Sequence, residues 1–133
     1  MEKVIEKLKA KGVKPTAQRL AILKILIEEI DHYTVDSLYK KAIAVQPTIS
    51  QATVYSIIEL FAKKGIVQEL RIDGKRTVYD PTIKEHHHFM CRNCGQIRDI
   101  EKSAFRIPPL EETGGHKIED YQLYFYGLCS NCR

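Results

Sequence analysis

The chain has 133 residues, of which 44% are hydrophobic, enough for one domain or two small ones with real cores. It carries 21 Lys and Arg against 17 Asp and Glu, and the whole basic excess lies in the first 80 residues. The sequence contains no apolar run of about 18 residues and its N-terminus lacks a signal-peptide core. We therefore expect a soluble, cytoplasmic protein without a membrane partner.

The first half of the chain predicts four helices. The first covers residues 3–11, and apolar residues from Leu20 to Ile30 in the second form a wide stripe that should face a core. Pro47 ends the third helix and Gly65 ends the fourth. The last three helices begin at the capping residues Thr16, Thr34 and Ser50.

A β-hairpin is predicted directly after the helices. Residues 66–72 and 75–79 alternate apolar and polar side chains, and Asp73-Gly74 between them is a typical hairpin turn. Three or four helices followed by a hairpin with a basic tip are typical of a winged helix-turn-helix. We therefore expect residues 1–79 to form a winged-helix DNA-binding domain.

The second half is rich in predicted strands. The sequence predicts strands over residues 86–91, 96–100 and 122–128. It also predicts one short helix between residues 103 and 113. Residues 80–133 are thus expected to form a small α/β domain, which makes the whole chain an α+β protein.

Two Cys-x-x-Cys motifs stand in this second half. Each short loop turns two sulfurs toward one point, and together the loops can complete a tetrahedron of thiolates that suits Zn²⁺. Four protein ligands leave no open coordination position on the ion, so the zinc is expected to be structural. The alternatives are a pair of disulfides or a redox motif, which a cytoplasmic chain without a βαβ pattern does not favour. The four predicted zinc ligands are Cys91, Cys94, Cys129 and Cys132.

A histidine triplet precedes the first cysteine motif. On a strand, His86 and His88 point to the same face, about 7 Å apart along the chain, while His87 points to the other. Two imidazoles with nearby carboxylates suit Fe²⁺, Mn²⁺ or Zn²⁺. A solvated polar stretch is the alternative, and spacing alone makes His32 a surface or capping residue. The neighbouring carboxylates are Asp80, Glu85 and Asp99.

Several motifs together resemble the ferric-uptake regulator superfamily of bacterial metal-dependent repressors, over essentially the whole chain. The motifs are Pro15-Thr16-Ala17-Gln18-Arg19, Ser50-Gln51-Ala52-Thr53-Val54-Tyr55, His86-His87-His88, Cys91-x-x-Cys94-Gly95 and Tyr126-Gly127-Leu128-Cys129-x-x-Cys132. The resemblance implies a homodimer that binds a double-stranded DNA operator. It also implies a C-terminal dimerisation domain with four-cysteine zinc and no organic cofactor.

The resemblance further implies a regulatory Fe²⁺ or Mn²⁺ site that bridges the two domains. Asp at both carboxylate positions is similar to the peroxide-stress branch, whereas iron sensors usually have Glu there. Leu128 stands where iron sensors often have a further histidine, and every cysteine is already used for zinc. The implied ligands are His32, Asp80, His86, His88 and Asp99.

DNA contacts are likewise implied by matched motifs. Base-reading side chains would be Gln51, Thr53 and Tyr55, and phosphate contacts would come from Ser50, Lys75 and Arg76, with Arg19 in either role. The alternatives are a half-buried core position for Tyr55 and plain solubilising charges at the hairpin tip. Ser56 departs from the Arg or Asn that is frequent in the family.

The resulting prediction is a metal-dependent repressor that senses peroxide through oxidation of His32 or His86 beside Fe²⁺. Three alternatives remain. The first is an iron- or manganese-responsive repressor that does not sense peroxide. The second is a zinc-dependent hydrolase that uses His86, His88 and a carboxylate. The third is a zinc-ribbon interaction module without DNA binding.

Overall fold

A computed structural model describes residues 2–82, 84–106 and 110–133. The chain divides into two compact units, Met1–Ile83 and Lys84–Arg133. The sequence predicts a boundary between Tyr79 and Asp80, and the compact units divide between residues 83 and 84. Asp80 pairs with Gln68 in the last strand of the first unit, so its backbone belongs to that unit. No helix within the described ranges is both long and apolar enough to span a membrane.

Four helices form most of the first unit, as predicted. They are α1 (Glu2–Ala10), α2 (Ala17–Glu28), α3 (Val35–Val45) and α4 (Gln51–Lys63). The three predicted caps are confirmed, because each side-chain oxygen accepts a hydrogen bond from the backbone N–H three residues later. At Thr34 the cap is reciprocal, since Ser37 also bonds back to the backbone N–H of Thr34.

The core of the first unit is built from all four helices and from the residues that follow them. Its fully buried members include Leu8, Ile22, Leu26, Leu38, Val54, Ile58 and Phe61. The predicted stripe on α2 is too wide, because Ile27 is 43% exposed and Ile30 is 71% exposed. Consecutive apolar residues cannot all face one side of a helix, and Ile30 lies beyond the end of α2.

The hairpin of the first unit consists of β1 (Gln68–Asp73) and β2 (Arg76–Asp80), and we call residues 68–80 the wing. The strands are antiparallel, with Asp73 opposite Arg76, so the turn residues are Gly74 and Lys75, one position later than predicted. Gly74 is not in the left-handed region that the predicted turn type requires. The Asp73 carboxylate instead stabilises the turn by accepting from the Lys75 backbone N–H at 2.9 Å.

The second unit is built on a three-stranded mixed sheet in the order β4-β3-β7. Its strands are β3 (His87–Cys91), β4 (Ile97–Ile100) and β7 (Tyr124–Gly127), which confirms the three predicted strands. Strand β3 is antiparallel to β4 and parallel to β7. A separate small hairpin joins β5 (Glu112–Thr113) to β6 (His116–Lys117).

The helix predicted between residues 103 and 113 is wrong for the described part of that stretch. A 3₁₀ turn at Lys102–Ala104 and the two residues of β5 lie there, while residues 107–109, with Pro108-Pro109, lie outside the described residues. The helical part of the predicted α/β domain is thus reduced to this one turn in the described residues of the second unit.

Candidate metal centres

The four cysteines converge at one end of the sheet in the second unit. Cys91 ends β3 and pairs with Gly127 of β7, and the N–H of Arg92 donates to the Gly127 carbonyl at 2.8 Å. This pairing brings the first cysteine loop beside the segment that leads into the second. Gly95 closes the first loop with a positive φ of 76°, and its N–H donates to the Cys91 carbonyl at 2.9 Å.

The four sulfur atoms lie within 4.8 Å of one another, and the Sγ atoms of Cys94 and Cys129 are 3.8 Å apart. A tetrahedral zinc with Zn–S bonds of about 2.3 Å requires sulfur separations of roughly 3.8 Å. A disulfide requires about 2.05 Å, and all four cysteines are free thiols. The cluster therefore fits a zinc site, and the disulfide alternative is wrong.

Hydrogen bonds to the sulfurs prepare part of the cluster for metal binding. Backbone N–H groups, that of Cys94 foremost, lower the pKa of Cys91 to about 6. Burial alone raises the pKa of Cys129, but hydrogen bonds from Asn131 and Cys132 outweigh it and the net pKa is lowered. Hydrogen bonding thus favours the thiolate form of both cysteines, and for Cys91 it does so strongly enough to give a thiolate near neutral pH.

Cys132 behaves in the opposite way. The Asn93 side chain lowers its pKa, but hydrogen bonds with the other three cysteines and burial outweigh that effect and raise the pKa to about 11. A further thiolate beside existing ones is costly unless a cation is present, which is the chemistry that a divalent metal supplies. Sequence reasoning missed the role of the Asn93 side chain, whereas Asn131 contributes only through its backbone.

The second unit also gathers His86, His88 and Asp99, as predicted. His88 lies directly opposite Asp99 in the β3–β4 pairing, and the rings of His86 and His88 have centroids 4.4 Å apart. Asp99 Oδ1 is 3.4 Å from His86 Nε2 and 3.8 Å from His88 Nε2. Ligand atoms that share one ion at about 2.1 Å lie roughly 3–4 Å apart, so the spacing of these three side chains fits shared metal ligation.

One ring nitrogen of His86 is engaged by the backbone. Its Nδ1 donates to the carbonyl of Lys84, which can only accept. The other nitrogen, Nε2, is the atom that faces Asp99. Histidines that bind metals usually have this arrangement, in which the distal N–H donates to a carbonyl or carboxylate.

The first unit brings together His32 and Asp80. Their Nε2 and Oδ2 atoms are 3.5 Å apart, and the Asp80 carboxylate is buried. Sequence spacing could not show this pair. An isolated antiparallel bridge between Tyr33 and Tyr79 aligns the loop after α2 with β2, and this register places His32 opposite Asp80. The N–H of Thr82 donates to the other Asp80 oxygen at 2.8 Å.

Two other candidates lie apart from these ligands. His87 points to the opposite face of β3, where its Nε2 is 3.0 Å from the Phe105 carbonyl and its ring meets the edge of Phe125. Glu85 contacts the Lys102 ammonium at 2.7 Å and the Tyr121 hydroxyl at 3.3 Å. These contacts hold three segments of the second unit together, so both residues have structural roles.

The predicted DNA-contacting side chains of α4 lie at its first turns. Tyr55 is 49% exposed and is not among the residues that pack in the hydrophobic core, which argues against the core alternative. Gln51 is exposed, whereas Ser50 and Thr53 bond to each other through their hydroxyls at 2.8 Å. A cavity of about 420 Å³ between the starts of α2 and α4 is lined in part by Arg19, Thr53 and Ser56. Arg19 donates to the Lys14 carbonyl at 2.9 Å.

The sequence profile of the Ferric uptake regulator family matches residues 10–126. The chain belongs to the ferric uptake regulator family. It is 34% identical to the "Peroxide operon regulator" of Bacillus subtilis, over 99% of this chain and 92% of that protein. The "Peroxide-responsive repressor PerR" of Staphylococcus saprophyticus is also 34% identical, over 100% of this chain and 91% of that protein.

Comparison with solved structures also supports membership of the ferric uptake regulator family. The ferric uptake regulator of Vibrio cholerae matches with a TM-score of 0.70 and 28% identity, over 94% of this chain and 98% of that chain. These relatives are regulators, so the family member described here is not an enzyme, and the hydrolase alternative for His86 and His88 is set aside.

Proposed function

We propose that this protein is a metal-dependent DNA-binding repressor that responds to peroxide. The observation that carries the proposal is the presence, in each unit, of a histidine facing an aspartate, His32 with Asp80 and His88 with Asp99. Such nitrogen and oxygen donors suit Fe²⁺ or Mn²⁺. Two relatives along the whole chain are named as a peroxide operon regulator and a peroxide-responsive repressor.

The proposed regulatory site takes one group of ligands from each unit. His32 and Asp80 would come from the first unit, and His86, His88 and Asp99 from the second. Because neither group alone fills a coordination sphere, a bound ion would tie the units together and fix the angle between them. This angle sets the spacing of the two recognition helices in a dimer, and therefore the fit to two operator half-sites.

The proposed DNA-binding surface consists of α4, the start of α2 and the wing. Gln51, Thr53 and Tyr55 would face base edges, while Ser50, Arg19, Lys75 and Arg76 would lie near phosphates. The exposure of Tyr55 supports this assignment, because its ring lies outside the core and is accessible on the surface of α4. The Thr53 hydroxyl accepts from the Ser50 hydroxyl, so its own proton would remain available to donate to a base edge.

The proposed dimer would form through the second unit. Large apolar side chains that are 41–56% exposed there support it, because a small unit gains stability by covering such surface. These side chains are Phe105, Leu110, Tyr121, Tyr126 and Leu128. Sedimentation of the zinc-containing protein should give twice the monomer mass.

Peroxide sensing would follow from the ligand set. Fe²⁺ held by these residues would supply the redox chemistry that activates peroxide, and overall one peroxide oxygen would be transferred to a ligand imidazole while the other leaves as water. His32 and His86 are the imidazoles that we expect to gain oxygen. An oxidised imidazole is a poor ligand, so the ion would be lost and the repressor would leave the operator.

A duplex-binding assay tests the repressor function. Zinc-containing protein stripped of the regulatory metal should bind duplex DNA weakly, and Fe²⁺ or Mn²⁺ should restore tight binding. A Tyr55→Ala variant that keeps full duplex affinity would instead favour the interaction module without DNA binding. Equal duplex affinity with and without added metal would contradict the metal-dependent repressor.

Mass spectrometry tests the peroxide response. After peroxide, the Fe²⁺ form should gain one oxygen atom on a peptide that contains His32 or His86, and DNA binding should fall. The Mn²⁺ form is the matched control and should remain unmodified and bound. Unmodified histidines together with intact repression in the Fe²⁺ form would favour the iron- or manganese-responsive alternative.

A further inference from the structure

Both arginines of the wing are paired with carboxylates of the wing itself. Residues 68–80 contain three basic and three acidic side chains, so the hairpin is neutral overall although its tip looks basic in sequence. Arg76 Nε lies 3.0 Å from Asp73 Oδ2, and Arg71 lies 3.2 Å from Glu69. Both guanidinium groups of the wing therefore face a carboxylate two or three residues away.

The pair of Asp73 and Arg76 is the better formed of the two. The residues lie opposite each other at the turn, and the Asp73 side chain is only 19% exposed. One carboxylate oxygen accepts from the Lys75 N–H at 2.9 Å and the other accepts from Arg76. Both oxygens are thus held in place, and the pKa of Asp73 is lowered, first by the Lys75 N–H and further by Arg76. Arg71, in contrast, is 81% exposed.

A carboxylate in this position competes with DNA phosphate for the same guanidinium. Both anions accept paired N–H donors from arginine, so Arg76 cannot bind a phosphate through Nε while it is bonded to Asp73. The local carboxylate also repels the phosphate backbone. An exposed ion pair is weak enough for DNA to displace, but the displacement reduces the affinity gained.

We propose that Asp73 is an internal competitor that holds Arg76 away from the DNA backbone and so limits sequence-independent binding. The inference rests on the proposed DNA-binding function. While Asp73 holds Arg76, phosphate contacts contribute less to the free energy of DNA binding. Discrimination between DNA sequences then depends more on the α4 side chains.

The Asp73→Asn substitution tests the competition. Its amide oxygen can still accept from the Lys75 N–H, so the turn is kept, while the charge that holds Arg76 is removed. The assay measures anisotropy of a mixed-sequence duplex with the Mn²⁺-loaded, zinc-containing protein over a range of NaCl concentrations. We expect about two- to fivefold tighter binding at low salt. The slope of log K against log salt should steepen by about 0.9, the value for one more phosphate contact.

Two further variants make the test specific. Arg76→Gln should abolish the gain from Asp73→Asn, because the released guanidinium is its source. Glu28→Gln removes a carboxylate from the exposed pair with Lys24 on α2, and it should leave the slope unchanged. A wild-type protein that binds duplex while Asp73→Asn has the same affinity and slope would overturn the competition alone. A wild-type protein that binds no duplex under any metal condition would overturn the proposed function as well.

Discussion

Tyr33 and Tyr79 exchange both of their backbone hydrogen bonds, at 2.8 and 2.7 Å, although they are far apart in the sequence. This single bridge joins the loop after α2 to the second strand of the wing. Both side chains are buried, and the Tyr33 hydroxyl donates to the Glu29 carbonyl. The bridge therefore serves the core of the first unit and, one residue further along, aligns His32 with Asp80.

Truncation of Tyr33 should destabilise the first unit. Because Tyr33 is 1% exposed, Tyr33→Ala should lower the free energy of unfolding by about 3–5 kcal/mol, as for other large aromatic residues in cores. Tyr55→Ala is the matched control, since Tyr55 is half-exposed, and it should change stability by less than about 0.5 kcal/mol. Urea denaturation measures both, and equal losses in the two variants would contradict the difference in burial.

The two histidines that begin β3, His87 and His88, should respond differently to substitution. His88→Ala should abolish Mn²⁺-dependent DNA binding and leave the zinc content unchanged, because His88 faces Asp99. His87→Ala should retain the Mn²⁺ response but lower the melting temperature, because its hydrogen bond to the Phe105 carbonyl lies on the opposite face. Zinc content, Mn²⁺ titration and thermal melting distinguish the two variants. A lost Mn²⁺ response in His87→Ala would contradict this assignment.

Removal of zinc should unfold the second unit before the first. Its sheet has three short strands, and the two cysteine loops that end it would lose their common centre. After chelation at neutral pH, limited proteolysis should cut within residues 84–133 while residues 2–82 resist. Cys94→Ser should give the same pattern without chelator. Simultaneous cleavage of both units would show that the first depends on zinc too.

Zinc binding should release protons near pH 7.5. Cys132, whose pKa is raised to about 11, must lose its proton to become a ligand, whereas Cys91, with a pKa of about 6, is already a thiolate. Calorimetry in two buffers of different ionisation enthalpy should therefore show at least one proton released per zinc. As pH falls below about 6, Cys91 also takes up a proton and zinc affinity should decline more steeply. An absence of proton release at pH 7.5 would contradict the raised pKa of Cys132.

Local chemistry allowed the sequence to predict most of the elements and the zinc ligands. Helix caps such as Thr34 act over three residues, strands alternate with a period of two, and a Cys-x-x-Cys loop fixes two sulfurs by itself. Because side chains alternate along a strand, the sequence also predicted that His86 and His88 lie on the same face. The prediction that Ile27 of α2 faces the core was wrong, because the apolar character of a side chain does not show which way it faces on the helix.

Only the tertiary structure decided the contacts between segments distant in sequence. His32 meets Asp80 through the Tyr33–Tyr79 bridge, and no spacing rule connects these residues. The wing pairing of Arg76 with Asp73 also depended on where the turn fell, one residue later than the Asp-Gly pattern indicated. By itself the sequence determined the family, the cysteine site and the helix starts, because these depend on short-range geometry. The structure decided which charges are paired and which histidines face carboxylates, because those depend on register and on long-range packing.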